Sequence, residues 1–131
     1  MRVNFILYVR DQFASERFYR EVFGSAPTLS VPGMSEFTLT ESATLGLMPE
    51  AGICRLLGDG IVDPSLAAGI PRAELYVVVD GPGEFHERAL AAGATELSAL
   101  ALRSWGHRAA YSRDPDGHIL VFAEVADALS G

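Results

Sequence analysis

VNFILYVRDQFASERFYREVFG, residues 3–24, and AELYVVVDGPGEFHERALAAG, residues 73–93, carry one pattern twice. In the first, Val3–Val9 is an apolar, β-branched run ending at Arg10-Asp11, which reads as a short buried strand followed by a helix start. Asp11 can cap the first turn, Phe18 and Val22 and then Tyr19 and Phe23 stand four apart, and Gly24 supplies the stop. In the second, Ala73–Val79 ends at Asp80-Gly81, and a helix over Glu84–Ala92 closes at Gly93. At an offset near 70, Asn4 aligns with Glu74, Ile6 with Tyr76 and Tyr8 with Val78, while Gly24 and Gly93 are 69 apart. Self-similarity at a fixed offset implies an internal duplication.

Three short strand-like runs follow each stretch: Thr28–Val31, Glu36–Thr40 and Thr44–Met48 in the first half, and Thr95–Arg103, His107–Arg113 and His118–Val125 in the second. Pro32-Gly33 and Glu41-Ser42 separate the first three. Asp114-Pro115-Asp116-Gly117 has the residue choices of a type I turn and predicts a tight antiparallel hairpin. Both halves therefore read β-α-β-β-β, an α+β chain of one domain, 1–131, with module one at 2–48, a connection at 49–71 and module two at 72–125. Pro49 to Pro71 reads as irregular, broken by Gly52, Gly58, Gly60, Pro64 and Gly69, with Ser65–Ala68 as one helical turn; a stretch of this kind is a lid or a linker.

The 131 residues are 49% hydrophobic and 21% charged, the balance of an ordinary globular domain that needs no disulfide or zinc staple. All ten basic residues are Arg, against 17 Asp and Glu, for a formal net charge of −7. Such a surface repels phosphate backbones and anionic lipid, so neither nucleic acid nor membrane is expected as a partner. Cys54 is the only cysteine, which excludes an intrachain disulfide and a multi-thiolate metal site and suits a reducing compartment. The apolar run after Met1-Arg2 is too brief for a signal segment or a membrane span, and the expected location is cytoplasmic. No Ser-His-Asp arrangement on a strained elbow, phosphate-cradling Gly-rich loop or HExxH helix occurs. Cys54 has no His or Asp near it in sequence, and Glu84, Glu87 and Glu96 read as a solvated face.

With the duplicated pattern, the Trp105-Gly106 pair and the Asp-Pro-Asp-Gly turn before Ile119-Leu120-Val121-Phe122, residues 2–124 resemble the vicinal-oxygen-chelate superfamily of glyoxalases, bleomycin-resistance proteins and extradiol dioxygenases. The resemblance implies two modules whose strands form a curled half-open barrel, with helices outside and a ligand cavity on the concave face. Strand alternation then places Asn4, Ile6 and Tyr8 toward the cavity and Val3, Phe5, Leu7 and Val9 under the helix, with Glu74, Tyr76 and Val78 inward on the fifth strand. Enzymes of the superfamily hold a divalent metal from the first, fourth, fifth and eighth strands, positions that fall here at Asn4, Gly46 or Leu47, Glu74 and Val121. Only Glu74 is a good ligand, so the resemblance is closest to the metal-free, bleomycin-resistance-like branch.

Glu74 has three readings: paired with Arg113 or Arg72, in contact with a polar or cationic ligand, or bound to a metal. Trp105 stands where bleomycin-binding relatives place a Trp beside their ligand, and is either an aromatic platform or a cap on the hairpin core. Tyr8, Phe37, Met48, Tyr76 and Tyr111 are either cavity wall or core. The expected ligand set is Tyr8, Phe37, Met48, Glu74, Tyr76, Trp105, Tyr111 and Arg113, with no catalytic residue and no metal ligand. His86 and His118 are expected away from the cavity, and His107 shares strand parity with Tyr111 and Arg113.

The leading expectation is a metal-independent, antibiotic resistance-like protein that sequesters a small cationic or aromatic compound, as a homodimer and without a cofactor. The alternative is a lyase, isomerase or dioxygenase of the same fold, with a divalent metal on Glu74 and His107 or Glu124. A third possibility is an interaction module with no small ligand.

Overall fold

The computed structural model describes residues 1–67 and 69–126. The chain divides into two compact units, Met1–Ala68 and Gly69–Gly131. The first contains β1 (Val3–Val9), α1 (Gln12–Phe23), β2 (Leu29–Val31), β3 (Met34–Thr40), β4 (Ala43–Pro49) and α2 (Glu50–Leu57), then 3-10 turns at Gly58–Gly60 and Pro64–Ala67. The second contains β5 (Glu74–Val78), α3 (Pro82–Ala92), β6 (Thr95–Leu102), β7 (His107–Arg113) and β8 (Ile119–Val125).

Within each unit the topology is the same. The first sheet runs β1-β4-β3-β2 and the second β5-β8-β7-β6, with the first strand of each parallel to the last and the remaining pairs antiparallel. The duplicated β-α-β-β-β order and the α+β class expected from sequence are thus present, as two four-stranded sheets and three helices.

Local chemistry explains the elements. The Asp11 carboxylate accepts the Ala14 N–H at 3.0 Å, and the Gly24 N–H closes α1 on the Arg20 carbonyl at 2.9 Å, as the sequence predicts. One face of α1 buries Phe18, Tyr19 and Val22, and Phe23 meets Phe37 of β3 with ring centroids 6.1 Å apart. Each such side chain contributes on the order of 2 kcal/mol when removed from water. A polar lock accompanies this packing. Gln12 Nε2 donates to the Val31 carbonyl and to Ser35 Oγ, Gln12 Oε1 accepts the Gly33 N–H, and Glu16 Oε1 accepts from the hydroxyls of Ser30 and Ser35. Buried Gln12, Glu16 and Ser35 therefore tie α1 to the β2–β3 hairpin with their hydrogen-bonding capacity used.

In the second unit Phe85 of α3 packs on Phe122 of β8 at 5.0 Å, and His86 Nε2 lies 2.9 Å from Glu96 Oε2 on β6. Glu96 is exposed, as the solvated-face reading expects, and its carboxylate also gives the buried His86 ring a polar partner.

Residues 50–57 also correct the sequence reading, which left Pro49–Pro71 irregular. Glu50 in the first turn and Arg55 in the last suit the helix dipole, and Ile53 is the one side chain of α2 that is buried. With a single anchored residue there is no apolar period to detect, and Gly52 reads as a breaker. The helical turn expected at Ser65–Ala68 occurs at Pro64–Ala67; Ala68 itself lies outside the described residues.

The Asp114 turn forms as its residues dictate. Gly117 N–H donates to the Asp114 carbonyl at 2.9 Å, while Asp114 Oδ1 accepts from the N–H groups of Asp116 and His118. Gly117 has φ +95°, and a Cβ there would stand 2.6 Å from Gly69 Cα. Gly117→Ala is expected to cost about 2–3 kcal/mol through combined backbone strain and overlap. Thermal denaturation should show the midpoint falling by roughly 10 °C; an unchanged midpoint would mean that Gly69 yields without cost.

Candidate functional site

Both sheets have a helix on one side, and strand alternation sorts the rest. In the first unit Ser35, Phe37, Leu45 and Leu47 are buried on the α1 side with Leu7 and Val9. Ile6, Tyr8, Gly46 and Met48 share the opposite face, where Ile6 pairs with Gly46 and Tyr8 with Met48. Phe37, expected as cavity wall, is therefore corrected to core: it is 1% exposed and its ring lies against α1.

In the second unit the face opposite α3 carries Glu74, Tyr76 and Val78 of β5, Ile119, Val121 and Ala123 of β8, and His107, Ala109, Tyr111 and Arg113 of β7. Tyr76, Val121 and Tyr111 are cross-strand neighbours in one row, and Ala123 and Ala109 form the next. Tyr76 packs against the buried floor of Ala109, Val121 and Ala123. The two alanines leave room for the phenol to lie across them toward His107.

The result is a three-membered hydrogen-bonded cluster. Trp105 Nε1 donates to the Tyr76 hydroxyl oxygen at 2.9 Å, and that oxygen lies 2.6 Å from His107 Nδ1. The Tyr76 and His107 rings are 5.7 Å apart and inclined by 35°. Trp105 is held at the tip of the β6–β7 hairpin, where Gly106 N–H donates to the Arg103 carbonyl and Arg103 N–H to the His107 carbonyl. It remains 51% exposed, so the indole is tied by its N–H while much of its ring is open.

Arg103 braces the adjoining wall. Its Nη2 donates to Ser98 Oγ and to the carbonyls of Ala99 and Ala109, and its guanidinium carbon sits 5.3 Å from the Tyr111 ring centroid. Burial pushes the Tyr111 phenol above its ordinary pKa, Glu74 and Tyr76 push it further, and Arg103 opposes them. Glu74 is thus near enough to act on Tyr111 through its charge. Among the described residues it has no ion pair, which corrects the expectation of pairing with Arg72 or Arg113.

The expected residues are accordingly distributed. Tyr76 and Trp105 touch directly, Glu74, Tyr111 and Arg113 share their face, and Tyr8 and Met48 adjoin on the first sheet. His107 was outside the expected ligand set; its parity with Tyr111 was the available signal.

The residues at the superfamily's metal positions do not fit a metal. A Cβ at Gly46 would meet Ile6 Cγ1 at 3.0 Å and Met34 Sδ at 3.1 Å, so apolar side chains occupy the room a ligand would need. Val121 is fully buried floor, and Asn4 offers only an amide. Glu124, the other donor considered, stands in register with Arg108, and the closest approach of their charged atoms is 4.0 Å. No group of three or more His, Cys, Asp or Glu suited to a metal occurs among the described residues.

Cys54 is not an activated nucleophile. Burial pushes its thiol pKa up, and Asp63 and Glu50 add to the shift. Asp63→Asn should speed the reaction of Cys54 with a disulfide reagent at neutral pH severalfold, measured by thiol titration; a slower reaction would contradict this electrostatic account.

These features define a small α+β protein with an aromatic cluster on the sheet face opposite α3. Residues 2–122 match the model of the Glyoxalase/Bleomycin resistance protein/Dioxygenase superfamily, and the chain belongs to that family. A glyoxalase-related enzyme from Fulvimarina pelagi is similar, at 26% identity and a TM-score of 0.79 over 95% of this chain and 87% of the other. Two further structures share the fold: a glyoxalase/bleomycin resistance protein/dioxygenase family enzyme from Burkholderia phytofirmans PsJN and a glyoxalase/bleomycin resistance protein from Catenulispora acidiphila. The first is 20% identical with a TM-score of 0.74, covering 93% of this chain and 96% of its own. The second is 21% identical with a TM-score of 0.67, covering 95% and 98%. Comparison with curated proteins gives no match.

Trp105 is the single tryptophan, so its emission reports on this cluster alone. Tyr76→Phe removes the acceptor of the indole N–H and is expected to shift the emission maximum while leaving the far-ultraviolet circular dichroism unchanged. Identical emission from both proteins would mean that the Trp105–Tyr76 bond is not held in solution.

Proposed function

We propose that the protein is a metal-independent small-molecule-binding member of its family, which sequesters an aromatic, cationic compound on the α3-free face of the second unit. The observation that carries this reading is the Trp105–Tyr76–His107 cluster beside a Glu74 carboxylate with no ionic partner among the described residues. An open indole and a braced Tyr111 ring offer flat apolar surface, and the carboxylate offers the charge. The formal net charge of −7 raises the local concentration of cations, which favours the same class of ligand.

The donor set supports binding without a metal, since one carboxylate, one amide, a glycine and a valine fall short of the roughly three ligands that a metal centre requires. A cytoplasmic homodimer is part of the proposal. The lone Cys54 suits a reducing compartment, and the exposed Leu97, Leu100 and Leu102 on β6, an edge strand of its sheet, offer apolar surface to a second copy.

Quenching of Trp105 by benzamidinium, an aromatic monocation, tests the reading. Saturable quenching is expected, weakened about fivefold by Glu74→Gln at low ionic strength and less so in high salt. Elemental analysis of protein purified without a metal-binding tag should find no stoichiometric metal. A tightly bound metal, or quenching indifferent to Glu74, would overturn the proposal.

A further inference from the structure

The Tyr76 hydroxyl is a hub with a fixed number of places. A phenol has one proton to donate and two lone pairs with which to accept. One lone pair takes the Trp105 N–H, because an indole nitrogen only donates. The contact with His107 Nδ1, at 2.6 Å, can be filled in two ways. If Nδ1 carried the proton, the oxygen would accept twice and its own proton would have no protein partner among the described residues. If Nδ1 is bare, Tyr76 gives its proton to the ring, each of the two contacts of the hydroxyl joins one donor to one acceptor, the ring carries its own proton on Nε2, and one lone pair of the hydroxyl is left for a bound molecule.

From this arrangement we infer that His107 is a specificity-determining residue: by holding the only proton of Tyr76, it makes the hydroxyl an acceptor toward any bound molecule. The inference rests on the reading that this face binds a ligand, and it names the class more closely. The ligand presents an N–H or O–H donor over Tyr76 in addition to its aromatic surface, as an amidinium or a protonated arylamine does. A quaternary ammonium, equal in charge but without an N–H, forgoes that bond. A carbonyl or ether meets an oxygen with no proton to offer.

The preference is also switchable. An imidazolium donates from both nitrogens, so a protonated His107 donates to Tyr76 and turns the phenolic proton outward. The hydroxyl then serves acceptor ligands. The titratable and charged groups that face this ring are Tyr76 and Glu74 from β5, Tyr111 and Arg113 from β7 itself, and Arg103 from the end of β6; β8 contributes only Ile119, Val121, Ala123 and Val125 to this face. Glu124 pairs with Arg108 in the neighbouring row and points to the other face.

Three probes, read by Trp105 fluorescence, separate the possibilities: benzamidinium, phenyltrimethylammonium and N,N-dimethylbenzamide. At neutral pH benzamidinium is expected to bind about tenfold tighter than phenyltrimethylammonium, the worth of one hydrogen bond to a charged donor. His107→Phe frees the Tyr76 proton, and dimethylbenzamide should then bind severalfold tighter while phenyltrimethylammonium is unchanged. Acidification of the unaltered protein should strengthen dimethylbenzamide in the same way, and that pH dependence should vanish in H107F. Tyr76→Phe should abolish the difference between the two cations, which guards against a folding defect in the first variant. Nitrogen-15 chemical shifts of the His107 ring give a readout that needs no ligand, with a bare Nδ1 expected at neutral pH.

If the probes bind but the donor preference is absent or survives H107F, or if Nδ1 carries a proton at neutral pH, the inference is overturned and the binding reading stands. If no probe perturbs Trp105, the binding reading fails and the inference falls with it.

Discussion

Each four-stranded sheet of this protein has one long helix to cover it, and a helix can dry only one face of a sheet. Strand alternation then divides every strand into a side that must be apolar and a side free to carry other chemistry. On the covered side the two units use the same solution, an aromatic from the helix against an aromatic from the sheet: Phe23 on Phe37 and Phe85 on Phe122. On the opposite face of the second unit no helix of that unit lies over the sheet among the described residues; Ala109, Val121 and Ala123 make a buried floor there, and the aromatic cluster is built on it, partly exposed. Tyr76, Tyr111 and His107 there have polar atoms to place, and they place them against one another, against Trp105 and under the charge of Arg103 and Glu74.

The fold was legible in the sequence because its signals were redundant. Two copies of a strand, a capped helix and a glycine stop, each followed by three strands, leave little freedom in element order, and the cap and turn residues at Asp11, Gly24 and Asp114 do in the structure what their types predict. What failed did so for identifiable reasons. The eight residues of α2 anchor through Ile53 alone, so no period marks them. Phe37 was assigned to the wrong face because β3 carries polar residues at both phases, Ser35 on one side and Glu36 and Thr38 on the other. Its phase is decided by Gln12 and Glu16, which satisfy Ser35 inside the core, and a tertiary hydrogen bond of that kind leaves no local trace.

The candidate site was legible in part. Parity placed Glu74, Tyr76 and Tyr111 on one face. That Tyr76 reaches His107 depends on the small volumes of Ala109 and Ala123 beneath it, and that Trp105 joins them depends on the geometry of a hairpin tip. Sequence spacing carries neither piece of information. Glu74 shows the opposite lesson: an acid among apolar neighbours suggests a salt bridge, yet its exposed position on β5 lets water serve it.

The polar lock in the first unit has a consequence for how a duplicated chain avoids confusing its own halves. Two sheets of identical topology, each awaiting a helix of similar length, invite the exchange of α1 and α3 during folding. Their polar keys do not interchange. Docking α3 on the first sheet would leave the hydroxyls of Ser30 and Ser35 without the Glu16 acceptor, and docking α1 on the second would leave Glu96 without the His86 ring. Of these groups Ser35 is buried, and leaving its hydroxyl without the Glu16 acceptor costs about 1–3 kcal/mol, whereas Ser30 and Glu96 are exposed and can turn to water. The two units share a strand order and differ in the polar contacts that seat their helices.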